Sequence, residues 1–226
     1  MCFNISIAKE KKTLEKRFKA KFQEGIQFEP NYFLSAFAKP FVPVITNDKP
    51  NEIQLFKWGL IPHWVRKEEQ AKDLSTKTFN ARVETAKEKP SFRDAMKSKH
   101  CLVLADGFFE WKTEGKNKIP HYIYQEEMQP FAFAGIWNEW VNKESGEIHN
   151  TFSILTQDAN PFMANIHNTK KRQPIILTKG VEQDWLNSNV DSSSYERIGF
   201  ETQLQAHIID KSFRTMGNSV EVIQPI

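Results

Sequence analysis

The sequence has few cysteines and glycines and no long apolar run. Its 226 residues include 2 cysteines and 9 glycines. Cys2 and Cys101 are too few to build a disulfide framework. No run approaches the roughly 18 apolar residues of a membrane-spanning helix, and no basic region precedes an apolar stretch at the N-terminus. We therefore expect an intracellular, cytoplasmic protein with no membrane partner.

The sequence also lacks the common cofactor signatures. It has no Walker phosphate loop, no G-x-G-x-x-G and no G-x-S-x-G. The six histidines and two cysteines show no zinc-type spacing. We therefore expect no cofactor and no metal.

Charge and aromatic content leave more than one class of partner open. The 31 Lys and Arg residues exceed the 28 Asp and Glu residues, which gives a net charge of +3. This charge permits a polyanionic partner without requiring one. The 18 Phe and 6 Trp residues fill a core, or some of them stack on unpaired bases.

Strand-like runs outnumber helical ones and rarely alternate with them, which favours an α+β fold with a mainly antiparallel sheet or open barrel. A Ser145-Gly146 turn separates two of the predicted strands. The predicted strands are Ile53–Trp58, Cys101–Ala105, Gly107–Trp111, His121–Tyr124, Phe131–Trp140, Thr151–Thr156, Pro174–Leu177 and Ala206–Ile209. The predicted helices are Lys9–Phe22, Pro90–Ser98, Asn160–His167 and Val181–Asn189. The length predicts a single domain over residues 1–226.

The predicted helix Lys9–Phe22 is strongly basic around one apolar face formed by Leu14, Phe18 and Phe22. Its lysines and arginine either form an ordinary solvated surface or attract a nucleic acid.

Cys2 follows the initiator methionine directly. Removal of Met1 would expose an α-amine and a thiol on adjacent carbons, both partly nucleophilic near neutral pH. An aldehyde meeting this pair forms a Schiff base and then a five-membered thiazolidine. The alternative is that residue 2 is simply a small residue that allows methionine to be trimmed.

Two further segments place polar side chains in unusual settings. Asn80, Arg82 and Glu84 alternate, so an extended segment would put them on one face, either as a site or as a polar turn. Glu110 lies among Phe108, Phe109 and Trp111. If it is buried, desolvation raises its pKa towards the range useful for proton transfer; otherwise it is a solvent-facing edge residue.

A histidine at a predicted helix end begins the fourth segment. His167 can act as an acid or a base near neutral pH. Lys170, Lys171 and Arg172 follow it and either hold phosphates or complement the helix dipole.

Taken together and in order, these segments resemble the SRAP family, the SOS response-associated peptidases. The blocks that carry the resemblance are Met1-Cys2, Trp58–Pro62, Asn80–Glu84, Gly107–Trp111 and His167 with Arg172–Leu177. The resemblance implies a compact α+β domain around an antiparallel β-barrel-like core flanked by helices. It also implies binding of single-stranded DNA that contains abasic sites, and a covalent thiazolidine crosslink through Cys2 that shields the lesion.

The resemblance assigns roles residue by residue. Cys2 would be the nucleophile after a proposed self-removal of Met1, with Asn80, Glu110 and His167 as the other catalytic residues. Phosphates would be held by Arg82, Arg172, Lys170 and Lys171, and bases would be stacked or wedged by Trp58 and Trp111. We expect a monomeric, single-turnover enzyme that associates with the nucleoid when it is bound to DNA.

The sequence departs from the family pattern in places, and two other functions remain open. Phe3-Asn4 stands where the family carries Gly-Arg, and Asn168–Lys171 lengthens the segment between His167 and Arg172. One alternative is a noncovalent single-stranded DNA binding module. The other is a cysteine peptidase that acts in trans and turns over.

Overall fold

The computed structural model describes residues 2–187, 200 and 202–226. Within these residues the strands are β1 (Asn4–Ile7), β2 (Lys21–Phe22), β3 (Asn31–Ser35), β4 (Phe41–Thr46), β5 (Lys49–Trp58), β6 (Asn80–Arg82), β7 (His100–Ala105), β8 (Gly107–Glu114), β9 (Asn117–Tyr124), β10 (Phe131–Val141), β11 (Ile148–Asp158), β12 (Arg172–Pro174), β13 (Ile176–Leu177) and β14 (Gln205–Ile208). The helices are α1 (Lys11–Phe18), α2 (Glu68–Ser75), α3 (Val83–Ala86), α4 (Arg93–Ser98), α5 (Pro161–Ile166) and α6 (Lys179–Leu186).

Five strands close into a barrel at the centre of the molecule. Antiparallel pairings join β5 to β4, β4 to β7, β7 to β10 and β10 to β11. The parallel pairing of β11 with β5, where Phe152 lies opposite Trp58, completes the circle. The interior consists of buried apolar side chains such as Val103, Phe133 and Ile154. Closure leaves these five strands without a free edge on that circle.

A second sheet has the strand order β14-β9-β8-β1-β3; it carries Glu110 on β8, and Cys2 lies just before its strand β1. The chain enters this sheet from the barrel at Asp106, between β7 and β8. The Asp106 carboxylate accepts hydrogen bonds from the Ser6 hydroxyl at 2.6 Å and the Ala8 amide at 2.5 Å. Burial raises the pKa of this carboxyl group. These contacts fasten β1, and therefore the N-terminus, to the start of β8.

The α+β fold class with a mainly antiparallel, barrel-like core is confirmed, and each predicted strand has its counterpart in the structure. The basic helix is shorter than predicted, because Lys19 adopts a left-handed φ of 53° after Phe18. Phe22 lies in β2 instead, paired with Ile53 of β5. Residues 188 and 189 of the predicted helix Val181–Asn189 lie outside the described residues.

Among the described residues, no helix is long and apolar enough to cross a membrane. The same residues contain no group of three His, Cys, Asp or Glu side chains arranged to hold a metal ion.

Candidate active site

The candidate site forms where the chain before β1 meets β8. In the antiparallel pairing of these strands, Ile5 lies opposite Phe108 and Ser6 lies opposite Gly107. Continuing this register toward the N-terminus places Phe3 opposite Glu110, with Cys2 one residue further. The pairing of β1 with β8 therefore brings Cys2 close to Glu110, although the two residues are far apart in the sequence.

Cys2 lies in the interior, with none of its surface exposed. Its Sγ atom lies 3.8 Å from the carbonyl oxygen of Asn4. Burial raises the pKa of the Cys2 thiol far above its usual value, and the nearby charge of Glu110 raises it further. The buried thiol is therefore neutral near pH 7. Its pKa depends on whether Glu110 is charged.

Asn80 reaches the same point from the opposite sheet. The chain leaves the barrel at Gly59, where φ is 115° and a Cβ atom would collide with the carbonyl of Ser75. It returns as β6, parallel to β11, with Asn80 opposite Ile154. The Asn80 side-chain amide donates a hydrogen bond to the Cys2 carbonyl at 2.8 Å. Its Oδ1 atom is buried and accepts no hydrogen bond from a described residue, which leaves one acceptor beside Cys2.

Glu110 is a buried acid on β8, with 4% of its surface exposed. Phe109 beside it is completely buried, and Trp111 is half-buried. Burial raises the pKa of Glu110 to about 7. A carboxyl group with this pKa can both donate and accept a proton near neutral pH, which is the property required of a general acid–base residue.

His167 faces Glu110 from the end of α5. Asn160 begins this helix by accepting a hydrogen bond from the Met163 amide, and Pro161 occupies the first turn. The His167 Nδ1 atom lies 2.8 Å from the Arg172 carbonyl. Since a carbonyl can only accept, this contact places the proton on Nδ1 and leaves Nε2 as an acceptor.

The Nε2 side of the His167 imidazole points toward Glu110. His167 Nε2 lies 3.9 Å from Glu110 Oε2, which is longer than a hydrogen bond but close enough for charge coupling. Burial lowers the pKa of His167, so the ring is mainly neutral at pH 7. The two titratable groups therefore lie close enough for the charge of one to affect the other.

Asn168 fastens the His167 segment to the strand that carries Glu110. Its side-chain amide donates to the Thr113 carbonyl at 2.8 Å, and its Oδ1 atom accepts from the Thr113 amide at 3.0 Å. Sequence reasoning did not single out this residue, because an asparagine after a helix reads as an ordinary turn residue. The structure makes Asn168 a direct connection between the His167 segment and β8, the strand that carries Glu110.

Arg172 requires a correction to its expected role in phosphate binding. Only 4% of its surface is exposed. Its guanidinium group donates to Glu84 at 2.5 and 2.9 Å, to Asp158 at 2.6 Å and to the Thr156 carbonyl at 2.8 Å. Burial alone would lower the pKa of Arg172, but these carboxylates outweigh that effect and raise it. Arg172 is therefore committed to internal contacts that hold α3, β11 and β12 together.

The other three expected phosphate ligands are exposed. Arg82, Lys170 and Lys171 have accessible side chains. None of them forms an ion pair with a described residue. Their charges are therefore available at the surface, two of them within the segment between His167 and Arg172 and one at the end of β6.

The two residues expected to stack on bases, Trp58 and Trp111, differ in their exposure to solvent. Trp58 is completely buried, stacks on Phe152 with ring centroids 5.9 Å apart, and donates to the Phe79 carbonyl at 2.9 Å. Its ring has no face for a nucleobase, so the expectation for Trp58 is corrected. Trp111 is half-buried, with the Arg214 guanidinium 4.8 Å from its ring centre. Trp64, which the sequence analysis passed over, is 39% exposed.

The fold and site define a barrel-centred α+β protein with an N-terminal cysteine site. The family model for SOS response associated peptidase (SRAP) matches residues 1–214. The chain therefore belongs to the SRAP family.

Similar proteins are known from bacteria and animals. The chain is 35% identical over 175 residues to the abasic site processing protein YoaM of Bacillus subtilis, covering 77% of this chain and 73% of YoaM. It is 29% identical to the abasic site processing protein YedK of Escherichia coli, covering 75% of this chain and 73% of YedK. It is 30% identical to the abasic site processing protein HMCES of Gallus gallus, covering 72% of this chain and 52% of HMCES.

Solved structures share the fold. A crystal structure of a protein from Bacteroides thetaiotaomicron matches with a TM-score of 0.92 and 38% identity, covering all of both chains. A crystal structure of a Bordetella bronchiseptica protein matches with a TM-score of 0.73 and 24% identity, covering 92% of this chain and 100% of the other. The second likeness concerns the fold alone.

Proposed function

We propose that this protein binds single-stranded DNA containing an abasic site and captures the lesion as a covalent thiazolidine through Cys2. The main support is geometric, because Asn80, Glu110 and His167 reach one point around Cys2 from three separate segments. The relatives named abasic site processing proteins support the choice of substrate.

Capture requires that Met1 be removed first. While Met1 is attached, the Cys2 nitrogen is an amide nitrogen and cannot form a Schiff base. We propose that the protein hydrolyses the bond itself, adding one water molecule and releasing methionine. The hydrogen bond from Asn80 to the Cys2 carbonyl would hold the peptide still, and Glu110 is placed to exchange a proton near it.

The crosslink then forms in two steps. The Cys2 α-amine adds to C1′ of the ring-opened abasic sugar, and loss of one water gives a Schiff base. The Cys2 sulfur next adds to the same carbon while the thiol proton moves to the nitrogen. The product is a five-membered ring of C1′, nitrogen, Cα, Cβ and Sγ, and the net change is loss of one water.

Glu110 and His167 would supply the protons. An abasic sugar is mostly a closed ring, and opening it requires a proton on the ring oxygen and loss of one from the hydroxyl on C1′. A carboxyl group with a pKa of about 7 and a neutral imidazole suit these transfers near neutral pH. Asn80 Oδ1 would accept a hydrogen bond from the newly exposed amine.

We propose that exposed cations hold the DNA near the site. Arg82, Lys170 and Lys171 would contact phosphates on either side of the lesion. Binding would therefore weaken as salt rises. We propose further that a single 1–226 domain acts as a monomer, and that it associates with the nucleoid through this DNA.

A denaturing gel tests the proposal. The protein is incubated with a labelled single-stranded oligonucleotide that contains one abasic site. The unaltered protein and Cys101→Ala should give a one-to-one species that survives denaturation, because Cys101 is a buried residue of β7 and has no α-amine with which to form a thiazolidine. Cys2→Ala should bind the DNA and give no such species.

The alternatives have different outcomes. A noncovalent binding module would give no denaturation-resistant species with any variant. A peptidase that acts in trans would cleave a peptide substrate repeatedly, whereas the proposed enzyme is consumed once. An equal adduct yield from Cys2→Ala would exclude the thiazolidine.

A further inference from the structure

Three phenylalanine rings form a cluster beside the candidate site. The ring of Phe37 lies 5.2 Å from that of Phe3 and 5.5 Å from that of Phe79, measured between centroids. Phe3 and Phe79 are 6.3 Å apart in an edge-to-face arrangement. Phe3 directly follows Cys2, and Phe79 directly precedes Asn80. The cluster is therefore connected at two points to the residues that surround the nucleophile.

Phe37 is the solvent-facing member of this cluster. It is 69% exposed, whereas Phe79 is 3% exposed and Phe3 is half-buried. A single exposed apolar residue is common on protein surfaces and carries no meaning by itself. Here the exposed ring is supported from behind by two other rings, so it offers a rigid aromatic face to solvent.

The backbone also holds Phe37 in place. It lies in a short 3-10 turn, Ala36–Ala38, that follows β3. The Ala36 amide donates to the Phe3 carbonyl at 2.8 Å, and the Lys39 amide donates to the Ala36 carbonyl at 2.8 Å. The turn that presents Phe37 is thus hydrogen-bonded to the residue after Cys2, which fixes the position of the turn relative to the nucleophile.

A basic cavity begins two residues after Phe37. It is lined by Lys39, Lys57 and Lys72. Lys72 pairs with Glu68 at 2.6 Å, so Lys39 and Lys57 supply the excess positive charge. Lys39 Nζ donates to the Ser75 hydroxyl at 2.6 Å, and burial together with the charges of Lys57 and Lys72 lowers the pKa of Lys39. An excess of positive charge crowded around one cavity favours an anion. An aromatic face next to such a cavity is the combination that unpaired nucleic acid requires.

From this geometry we infer that Phe37, supported by Phe3 and Phe79, stacks against the nucleobase next to the abasic nucleotide, on the side of the lysine cavity. The inference rests on the proposed function, because it assumes that an abasic nucleotide occupies the Cys2 site. Stacking a neighbouring base would fix the strand so that the base-free sugar lies at Cys2. It would also be tolerant of sequence, since every base has a stacking face.

The test uses a lesion that cannot react. A single-stranded oligonucleotide carries a tetrahydrofuran abasic analogue, which has no aldehyde, with the fluorescent base 2-aminopurine on its 5′ or its 3′ side. Stacking on an aromatic ring quenches this fluorescence. The unaltered protein and Phe37→Trp should quench the base at one of the two positions. Phe37→Leu should abolish the quenching and raise Kd about 5-fold or more.

Phe162→Leu is the matched control. Phe162 is also an exposed phenylalanine, at 39%, but it lies on α5 and makes no ring contact with a described residue. The Phe162→Leu variant should bind the oligonucleotide and quench 2-aminopurine as the unaltered protein does. Melting curves should show that all variants are folded. Quenching by Phe37→Leu equal to that of the unaltered protein, or absence of quenching by the unaltered protein at both positions, would overturn the inference.

The outcome is independent of the crosslinking result. Failure of the unaltered protein to crosslink a natural abasic site would reject the proposed function, whatever the fluorescence shows. Normal crosslinking with an unchanged Kd and unchanged quenching in Phe37→Leu would reject the stacking role alone.

Discussion

Replacing Glu110 by glutamine should make the protein more stable above neutral pH. Glu110 is 4% exposed, and its pKa rises from 4.5 to about 7 on folding. The fold therefore binds a proton that the unfolded chain releases between these two values. Stability is lost as pH rises from about 4.5 to 7, and the full cost above pH 7 is roughly 3 kcal/mol. Glutamine has the same shape and no charge to bury, so the variant escapes this cost.

The assay is thermal or urea unfolding of both proteins at pH 5 and pH 8.5. For a chain of this size, roughly 3 kcal/mol corresponds to a rise in Tm of about 6–12 °C at pH 8.5. At pH 5 the difference should fall to about 1 kcal/mol or less, because Glu110 is then still protonated in the fold and pH 5 is only about half a unit above its pKa in the unfolded chain.

Glu114 provides the control on the same strand. It is exposed, and the hydrogen bond and charge of Lys112 lower its pKa. Glu114→Gln should therefore not be stabilising at pH 8.5. A Glu110→Gln variant that is no more stable than the unaltered protein at pH 8.5, or whose advantage is the same at both pH values, would refute the reasoning about Glu110 as a buried acid.

Three further substitutions separate positioning, binding and structure. Asn168→Ala should slow crosslinking several-fold without changing Kd for DNA, because His167 loses its tie to the Glu110 strand; an unchanged rate at every pH would reject that role. Arg82→Gln should weaken DNA binding and reduce the slope of log K against log salt by about one, measured by titration at several salt concentrations. Arg172→Gln should instead lower stability by roughly 2–3 kcal/mol in urea unfolding, because it removes the charge-assisted hydrogen bonds to Glu84 and Asp158; an unfolding midpoint equal to that of the unaltered protein would contradict this.

The sequence pattern predicts the strands better than their arrangement. Apolar runs such as Phe131–Trp140 indicate strands because each is continuous or alternating over several residues. The closure of the barrel depends on the parallel contact of Thr151 with Lys57, which no local pattern encodes. Strand β1 was missed because Asn4–Ile7 is short and is stabilised by partners in β3 and β8.

For the site too, the sequence indicates individual residues better than their contacts. Cys2 and Glu110 stand out in the sequence, by position and by apolar neighbours, and the family resemblance adds the link between them. The role expected for Arg172 was wrong because its partners, Glu84 and Asp158, are distant in sequence and nothing local marks them. Trp58 was misjudged for a related reason, since a tryptophan reads alike in a core and at a surface.

The intact mass of the purified protein, before and after incubation with an abasic-site oligonucleotide, tests the central claim most directly. We predict a starting mass one methionine below that of the 226-residue chain, followed by an adduct of one protein and one oligonucleotide less one water. A chain that has lost Met1 and still forms no adduct would contradict the account.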